Sequence, residues 1–282
     1  LSEGRAILGM GRGAARREFR SFGVELADSR EMFDEAAVII LEGLETGIVE
    51  ADGKWYRIPR TEIRPRPFRS FRDRAVMVSM SPSSVEVAGR YGLKALRFSQ
   101  GDWTRALPEI NGYRAHFRQT QGREAPPFII CDFIVCFDDR QKVIEYTDRY
   151  FSRLFYQVAT HYEFGGEHFK SLPSYGTYVT LGEMAEAAGG HDKAYKDYIG
   201  ANLIGTPEAL WEQHLARTEL VGDYEIVANF SFGGMPVRTG LRPDEALRRQ
   251  DPAQAQGINK GRIYGFPAGR LSSGPPRSGF PR

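Results

Sequence analysis

Three serines and a proline follow a short apolar run in Arg74 to Tyr91, RAVMVSMSPSSVEVAGRY. Ala75 to Met80 is too short for a helix and is bounded by charge and turn residues, so it reads as a buried strand. Ser81 stands where a helix N-cap belongs, Pro82 suits the first helical position, and Ser83 and Ser84 fall in the first turn. Val85, Ala88 and Tyr91 then recur at helical spacing. A strand that opens into a helix whose first turn carries N–H groups and three hydroxyls is suited to hold an anion. The same residues also describe an ordinary serine-capped connection, and the segment alone does not separate the two.

The other reactive side chains point to less. Cys131 and Cys136 share one apolar run, FIICDFIVCF. Their odd separation puts them on opposite faces of a strand, where they cannot bridge each other, and they read as core residues of a reducing compartment. His161 and His168 have no third ligand in register, which favours structural or exposed roles over a metal. Arg60, Arg64, Arg66, Arg69, Arg72 and Arg74 make one connection basic, but no stacking aromatics interleave them, which argues against nucleic acid.

The 282 residues hold 38 basic and 36 acidic side chains, so net charge argues for neither nucleic acid nor membrane as partner. No apolar run reaches the length of a membrane span and no signal peptide is visible, so cytoplasm is the expected compartment.

The elements that must position the serines alternate between strand and helix. Ala6 to Gly9 reads as a strand followed by the glycine turn Gly9 to Gly13. A helix is expected from Asp28 to Leu44, with Asp28 and Glu31 as a capping box and Val38 to Leu41 widening the apolar face to nearly all-round burial. Asp52-Gly53 marks a hairpin between Gly47 and Phe68. Leu93 to Phe98 is a further strand, and Trp103, Ala106, Ile110, Tyr113 and Phe117 form a helical stripe. Pro127 to Phe137 reads as one strand buried on both faces, ahead of a long helix from Asp139 to Thr160. Thr206-Pro207 opens another helix, and Tyr224 to Phe230 is the last clear strand. Residues 161–200 read as an excursion over the site. Residues 237–282, with 6 Pro and 7 Gly among 46, read as a low-complexity, disordered tail. This order implies an α/β protein with a parallel sheet, either a barrel or an open doubly wound sheet.

Four segments resemble the bacterial luciferase-like flavin monooxygenases: GRAILGMGRGAARREFRSFGVELADSREMFDEA, VSMSPSSVEVAGRYGL, NLIGTPEALWEQ and VANFSFGGMP. The resemblance runs from Leu1 to about Pro236. It implies a partial (β/α)8 TIM barrel with insertions that starts near the fourth strand. Three strands, and with them a histidine important in many members, would precede Leu1, so no catalytic residue is assigned. The resemblance further implies reduced FMN as cofactor, a small organic substrate oxidised with oxygen, a separate flavin reductase and a homo-oligomer. A deazaflavin-dependent oxidoreductase, or a non-catalytic flavin-binding fragment, would share the same residues.

Carried over position by position, the family pattern assigns the flavin phosphate to Arg12 and Ala14 of the glycine turn. Arg30 and the turn residues Met80, Ser81 and Ser84 complete it; the luciferases have an acidic residue where Met80 stands. Arg30 lies in a helical first turn, where the dipole disfavours a cation by about 0.3–1 kcal/mol. A phosphate between Arg12, Arg30 and the Ser81 helix end would reverse that penalty. The alternative for Arg30 is an i,i+4 pair with Asp34, worth about 0.3–0.5 kcal/mol on a surface.

Overall fold

Strand β1 (Leu8–Met10) leads through the glycine turn to α1 (Arg16–Ser21) and α2 (Ser29–Thr46). The hairpin β2 (Ile48–Asp52) and β3 (Arg57–Glu62) follows, then β4 (Ala75–Val78), α3 (Pro82–Arg90), β5 (Lys94–Phe98) and α4 (Trp103–Gln121). Next come β6 (Phe128–Phe133), β7 (Val135–Cys136), α5 (Arg140–Tyr146), α6 (Ser152–Tyr162) and α7 (His191–Ala201). The chain continues with β8 (Ile204–Gly205), α8 (Pro207–Val221), β9 (Tyr224–Asn229) and β10 (Ile263–Tyr264). The structure is a computed structural model and describes residues 2–163, 166–170, 172, 175, 191–236 and 263–264.

The main sheet runs β1-β4-β5-β6-β9-β10 and is parallel throughout. Among the described residues it does not close on itself. Ala75, Met77, Ala95, Phe128, Ile130 and Tyr224 face the helix layer and pack on Ala37 of α2, Val85 and Ala88 of α3, and Ile110, Tyr113 and Phe117 of α4. Tyr113 sits edge-on to Phe117 and Phe128, at 5.7 and 5.4 Å between ring centroids, and its hydroxyl donates to the Leu93 carbonyl at 3.0 Å. The buried phenol therefore has its partner, as an apolar core requires.

On the opposite face, the register places Ile129, Cys131 and Phe133 beside Glu225, Val227 and Asn229. Lys94 Nζ bonds the Glu225 carboxylate at 2.9 and 3.2 Å at the N-terminal end of the sheet. Cys131, Phe133 and Asn229 stand at the C-terminal end.

Four local expectations are corrected. The run Pro127 to Phe137 is two strands, because at Ile134 the chain exchanges partners. Ile134 N–H donates to the Asn229 carbonyl and Val135 N–H to the Leu203 carbonyl, so β7 pairs with β8. The helix after Asp139 carries a π-helical turn, Thr147–Phe151, that buries Thr147, Tyr150 and Phe151 together. Helix α2 is buried on one face only: Val38 and Ile40 are 39% and 40% exposed. Nor does Asp28 cap it. A 3₁₀ turn, Leu26–Asp28, runs straight into α2, which leaves Asp28 with helical dihedrals, and Glu31 reaches Lys54 at 2.6 Å instead.

The basic connection is largely neutralised locally. Arg64 and Arg66 pair with Glu62, Arg60 with Glu50, Arg72 with Glu45, and Arg74 donates to main-chain carbonyls. Among the described residues no helix is long and apolar enough to cross a membrane. Of the tail, Ile263–Tyr264 pairs with β9; the rest of 237–282 and much of 161–200, on which the expected tail and excursion fall, lie outside the described residues.

Beyond β9 the chain folds back onto the π-helical turn. Gly233 has φ +59°, and a Cβ there would overlap the Tyr150 carbonyl oxygen. Gly233→Ala is expected to lower stability by about 2–3 kcal/mol, combining a left-handed backbone penalty with backbone overpacking. Thermal unfolding of the variant measures it; a change below about 0.5 kcal/mol would show that the Tyr150 turn yields freely.

Candidate functional site

The sheet order brings two connections together. β1 and β4 are neighbours, so the glycine turn after β1 and the serine turn after β4 emerge side by side at the C-terminal edge. Helices α2 and α3 begin at that edge, and their N-terminal dipoles converge there.

Ser81 is the N-cap of α3, with φ −150° and ψ 157°. Its hydroxyl accepts from Ser84 N–H at 3.3 Å, and Ser84 Oγ in turn accepts from Ser81 N–H at 3.0 Å. This closed box consumes the Ser84 hydroxyl, which also donates to the Ser81 carbonyl at 2.8 Å. Pro82 has no N–H to offer, and Ser84 and Val85 N–H bond the Ser81 carbonyl. Ser83 N–H remains as the first-turn donor with no partner among the described residues. Met80 directs its sulfur to the Phe98 N–H at 3.3 Å, so its main chain rather than its side chain faces the edge.

Arg30 does not pair with Asp34. Its Nη2 donates to Ser83 Oγ at 3.1 Å, and Ser83 Oγ lies 3.2 Å from Ser81 Oγ. Arg30 Nη1 is buried with no hydrogen-bond partner among the described residues, and so is Asp34 Oδ1. A buried charged donor without an acceptor costs about 1–3 kcal/mol or more, which an anion in contact with it would remove.

Arg12 lies over the ring of Tyr175, its Cζ 3.9 Å from the centroid. Tyr175 OH is 3.0 Å from the Gly13 carbonyl and 3.0 Å from Ser29 Oγ, which is itself 2.7 Å from the Leu26 carbonyl. Two hydroxyl protons serve these three contacts, so at any instant one contact lacks a proton. Ala14 is buried with Leu26, Phe169 and Tyr175. Burial raises the Tyr175 pKa, opposed by its bond to Ser29 and by the nearby charges of Arg12 and Arg30. The phenol therefore lies against Arg12 and feels the charge of Arg30.

The remaining candidates are elsewhere. Burial pushes both the Cys131 and Cys136 thiols up to about 11, so neither is a thiolate at neutral pH. His161 bonds Glu18 at 2.7 Å, and among the described residues no three His, Cys, Asp or Glu side chains group to hold a metal. A cavity of about 360 Å³ is lined by Arg16, Arg17, Arg20, Ser21 and Glu163. It shares no lining residue with the Arg30–Ser83 cluster, and Glu163 already takes up Arg16 in a two-pronged ion pair at 2.8 and 3.1 Å.

Over residues 1–224 the chain matches the family described as luciferase-like monooxygenase. The chain belongs to that family. It is 30% identical over 93 residues to the alkanal monooxygenase alpha chain of Aliivibrio fischeri, covering 33% of this chain and 26% of that protein. It is 29% identical over 92 residues to limonene 1,2-monooxygenase of Rhodococcus erythropolis, covering 33% and 24%. In these two matches the chain spans about a quarter of the relative's length. Among solved structures it superposes on a monooxygenase from Streptomyces bottropensis with TM-score 0.67 and 18% identity, covering 88% of this chain and 67% of that one. It also superposes on the oxygenating constituent of 3,6-diketocamphane monooxygenase from Pseudomonas putida, in complex with FMN, at TM-score 0.55 and 15% identity over 82% and 66%. A coenzyme F420-dependent tetrahydromethanopterin reductase from Methanopyrus kandleri gives 0.54 and 18% over 80% and 69%. The open parallel sheet is accordingly part of a (β/α)8 barrel.

In this luciferase-like monooxygenase chain, the family pattern names Arg12, Arg30, Ser81 and Ser84, the sequence shows Ser83 as one of three first-turn hydroxyls, and nothing in it points to Ser29 or Tyr175. Which of the three serines turns toward Arg30 follows from the capping box, which occupies Ser84. Tyr175 carried no signal, since its partners lie 146 and 162 residues away.

Proposed function

We propose that the chain binds the phosphate of FMN at the converging ends of α2 and α3, as part of a flavin monooxygenase that oxidises a small organic substrate with oxygen. The observation that carries the cofactor half is the buried Nη1 of Arg30 and the nearby N–H of Ser83, neither with a partner among the described residues. A phosphate there accepts from both, lies near Arg12, and meets two helix N-termini. Ser81 and Ser84 hold the first turn of α3 in shape, Met80 contributes main chain, and Ala14 seats the glycine turn on its apolar cluster.

Reduced flavin, when bound, supplies the electrons and the oxygen activation. The chain's own part is to anchor the phosphate and to keep water from the ring with apolar residues at the C-terminal end of the sheet, Cys131, Phe133 and Val227 among them. A separate reductase would deliver the reduced flavin. The F420-dependent structural neighbour supports a second reading, in which the same donors hold the phosphate of a deazaflavin and the chemistry is hydride transfer.

Titration of the chain with FMN and with riboflavin tests the anchor. FMN is expected to bind more tightly by about 100-fold or more, the worth of two charge-assisted hydrogen bonds. Affinities within twofold of each other would remove the phosphate assignment.

A further inference from the structure

Three separate pieces of the cradle meet on one side chain that comes from a distant part of the chain. The ring of Tyr175 underlies the Arg12 guanidinium, and its hydroxyl reaches the Gly13 carbonyl and Ser29 Oγ. Ser29 is the first residue of α2 and immediately precedes Arg30. Tyr175 is 1% exposed, so these contacts form in a water-poor setting where a cation over a π face gains most. Gly13 adopts φ +81°, a conformation that favours glycine, and its carbonyl is the one the Tyr175 hydroxyl takes up.

We propose that Tyr175 is a positioning residue of the cofactor-phosphate site. Its ring sets the plane of the Arg12 guanidinium, and its hydroxyl ties the glycine turn to the start of α2. Arg12 and Arg30 are thereby held toward one anion. Stacking engages the face of the guanidinium and makes no use of its in-plane N–H donors, which are the ones that grip a phosphate in a fork. Order that the ring supplies in advance does not have to be imposed by the ligand, and ordering by the ligand weakens binding. The inference rests on the phosphate reading above.

The test compares FMN and riboflavin affinities in the full chain carrying Tyr175→Leu or Tyr175→Phe, each with and without Arg12→Met. Both flavins need the same folded protein and share the ring, so a folding defect lowers both affinities and leaves their ratio unchanged. Tyr175→Leu is expected to lower the FMN-to-riboflavin ratio roughly tenfold, the size of a desolvated cation–π contact. Tyr175→Phe keeps the ring and should lower the ratio about two- to threefold, as for one neutral hydrogen bond. With Arg12→Met already present, Tyr175→Leu should change the ratio by less than about twofold, because the two residues act through one contact. Arg12→Lys, which keeps the charge but loses the planar stack, should reproduce most of the Tyr175→Leu loss and serves if that variant does not fold.

An unchanged ratio in Tyr175→Leu, or in Arg12→Lys where it stands in, while Arg30→Ala lowers the ratio, overturns the inference and leaves the phosphate site standing. Equal losses in the presence and absence of Arg12 overturn it as well. A wild-type ratio near one overturns the phosphate reading, and this inference with it.

Discussion

Asp132→Ala is expected to lower the stability of the chain by about 3–5 kcal/mol, the cost of leaving one partner of a buried ion pair alone. Asp132 and Arg217 have side chains 0% and 4% exposed, and Arg217 Nη1 meets Asp132 Oδ2 at 2.7 Å. Ser99 Oγ donates to the other carboxylate oxygen at 2.7 Å, and Arg217 Nη2 donates to the Ala201 carbonyl at 2.7 Å. The guanidinium is also flanked by Trp103 and Tyr224, at 4.6 and 5.6 Å from their ring centroids. This network fastens α7 and α8 to the ends of β5 and β6, so its loss would loosen the C-terminal edge of the sheet.

Thermal and urea unfolding read the change. Asp132→Leu combined with Arg217→Met should recover at least half of the loss, because removing both charges removes the desolvation that remained unmatched. A single-variant loss below about 1 kcal/mol would mean that water reaches Arg217 and that the pair is not buried in solution.

Arg12→Ala together with Arg30→Ala is expected to weaken FMN about 100-fold or more and riboflavin less than about threefold, since each arginine contributes charged hydrogen bonds of about 1.5–3 kcal/mol to the phosphate alone. Equal losses for the two flavins would place the phosphate elsewhere. The flavin-free chain should respond differently. Arg30 sits in a first turn that disfavours it by about 0.3–1 kcal/mol and buries an orphaned N–H. Losing its bond to Ser83 is offset by relief of both, so Arg30→Ala should change the melting temperature little without ligand. A residue that adds little to stability but much to affinity for one ligand is held for that ligand.

Local patterns were legible because they are short-range. The N-caps at Ser81 and Thr206, the proline that follows each, and the hairpin at Asp52-Gly53 all depend on neighbours within about four residues. The capping box expected at Asp28 and Glu31 shows the limit. The spacing was right, but the preceding turn is helical, so Asp28 never takes the extended dihedrals of a cap. Lys54, arriving from the hairpin, then took Glu31. The burial of α2 was overestimated for a related reason. Composition shows how apolar a helix is, but only the sheet beside it decides how many of its faces are covered.

By itself, the sequence determined the alternation of strand and helix, the serine-capped turn at Ser81 and membership of the luciferase-like family. These follow from periodicity and from motifs carried on contiguous residues. The tertiary structure decided which hydroxyl meets Arg30, that Arg30 has a donor to spare, and that Tyr175 lies against Arg12. Those facts depend on strands β1 and β4 becoming neighbours and on contacts that close loops of 53 to 162 residues. No local spacing encodes such closures, because they are selected by the packing of the whole sheet rather than by the residues that finally touch.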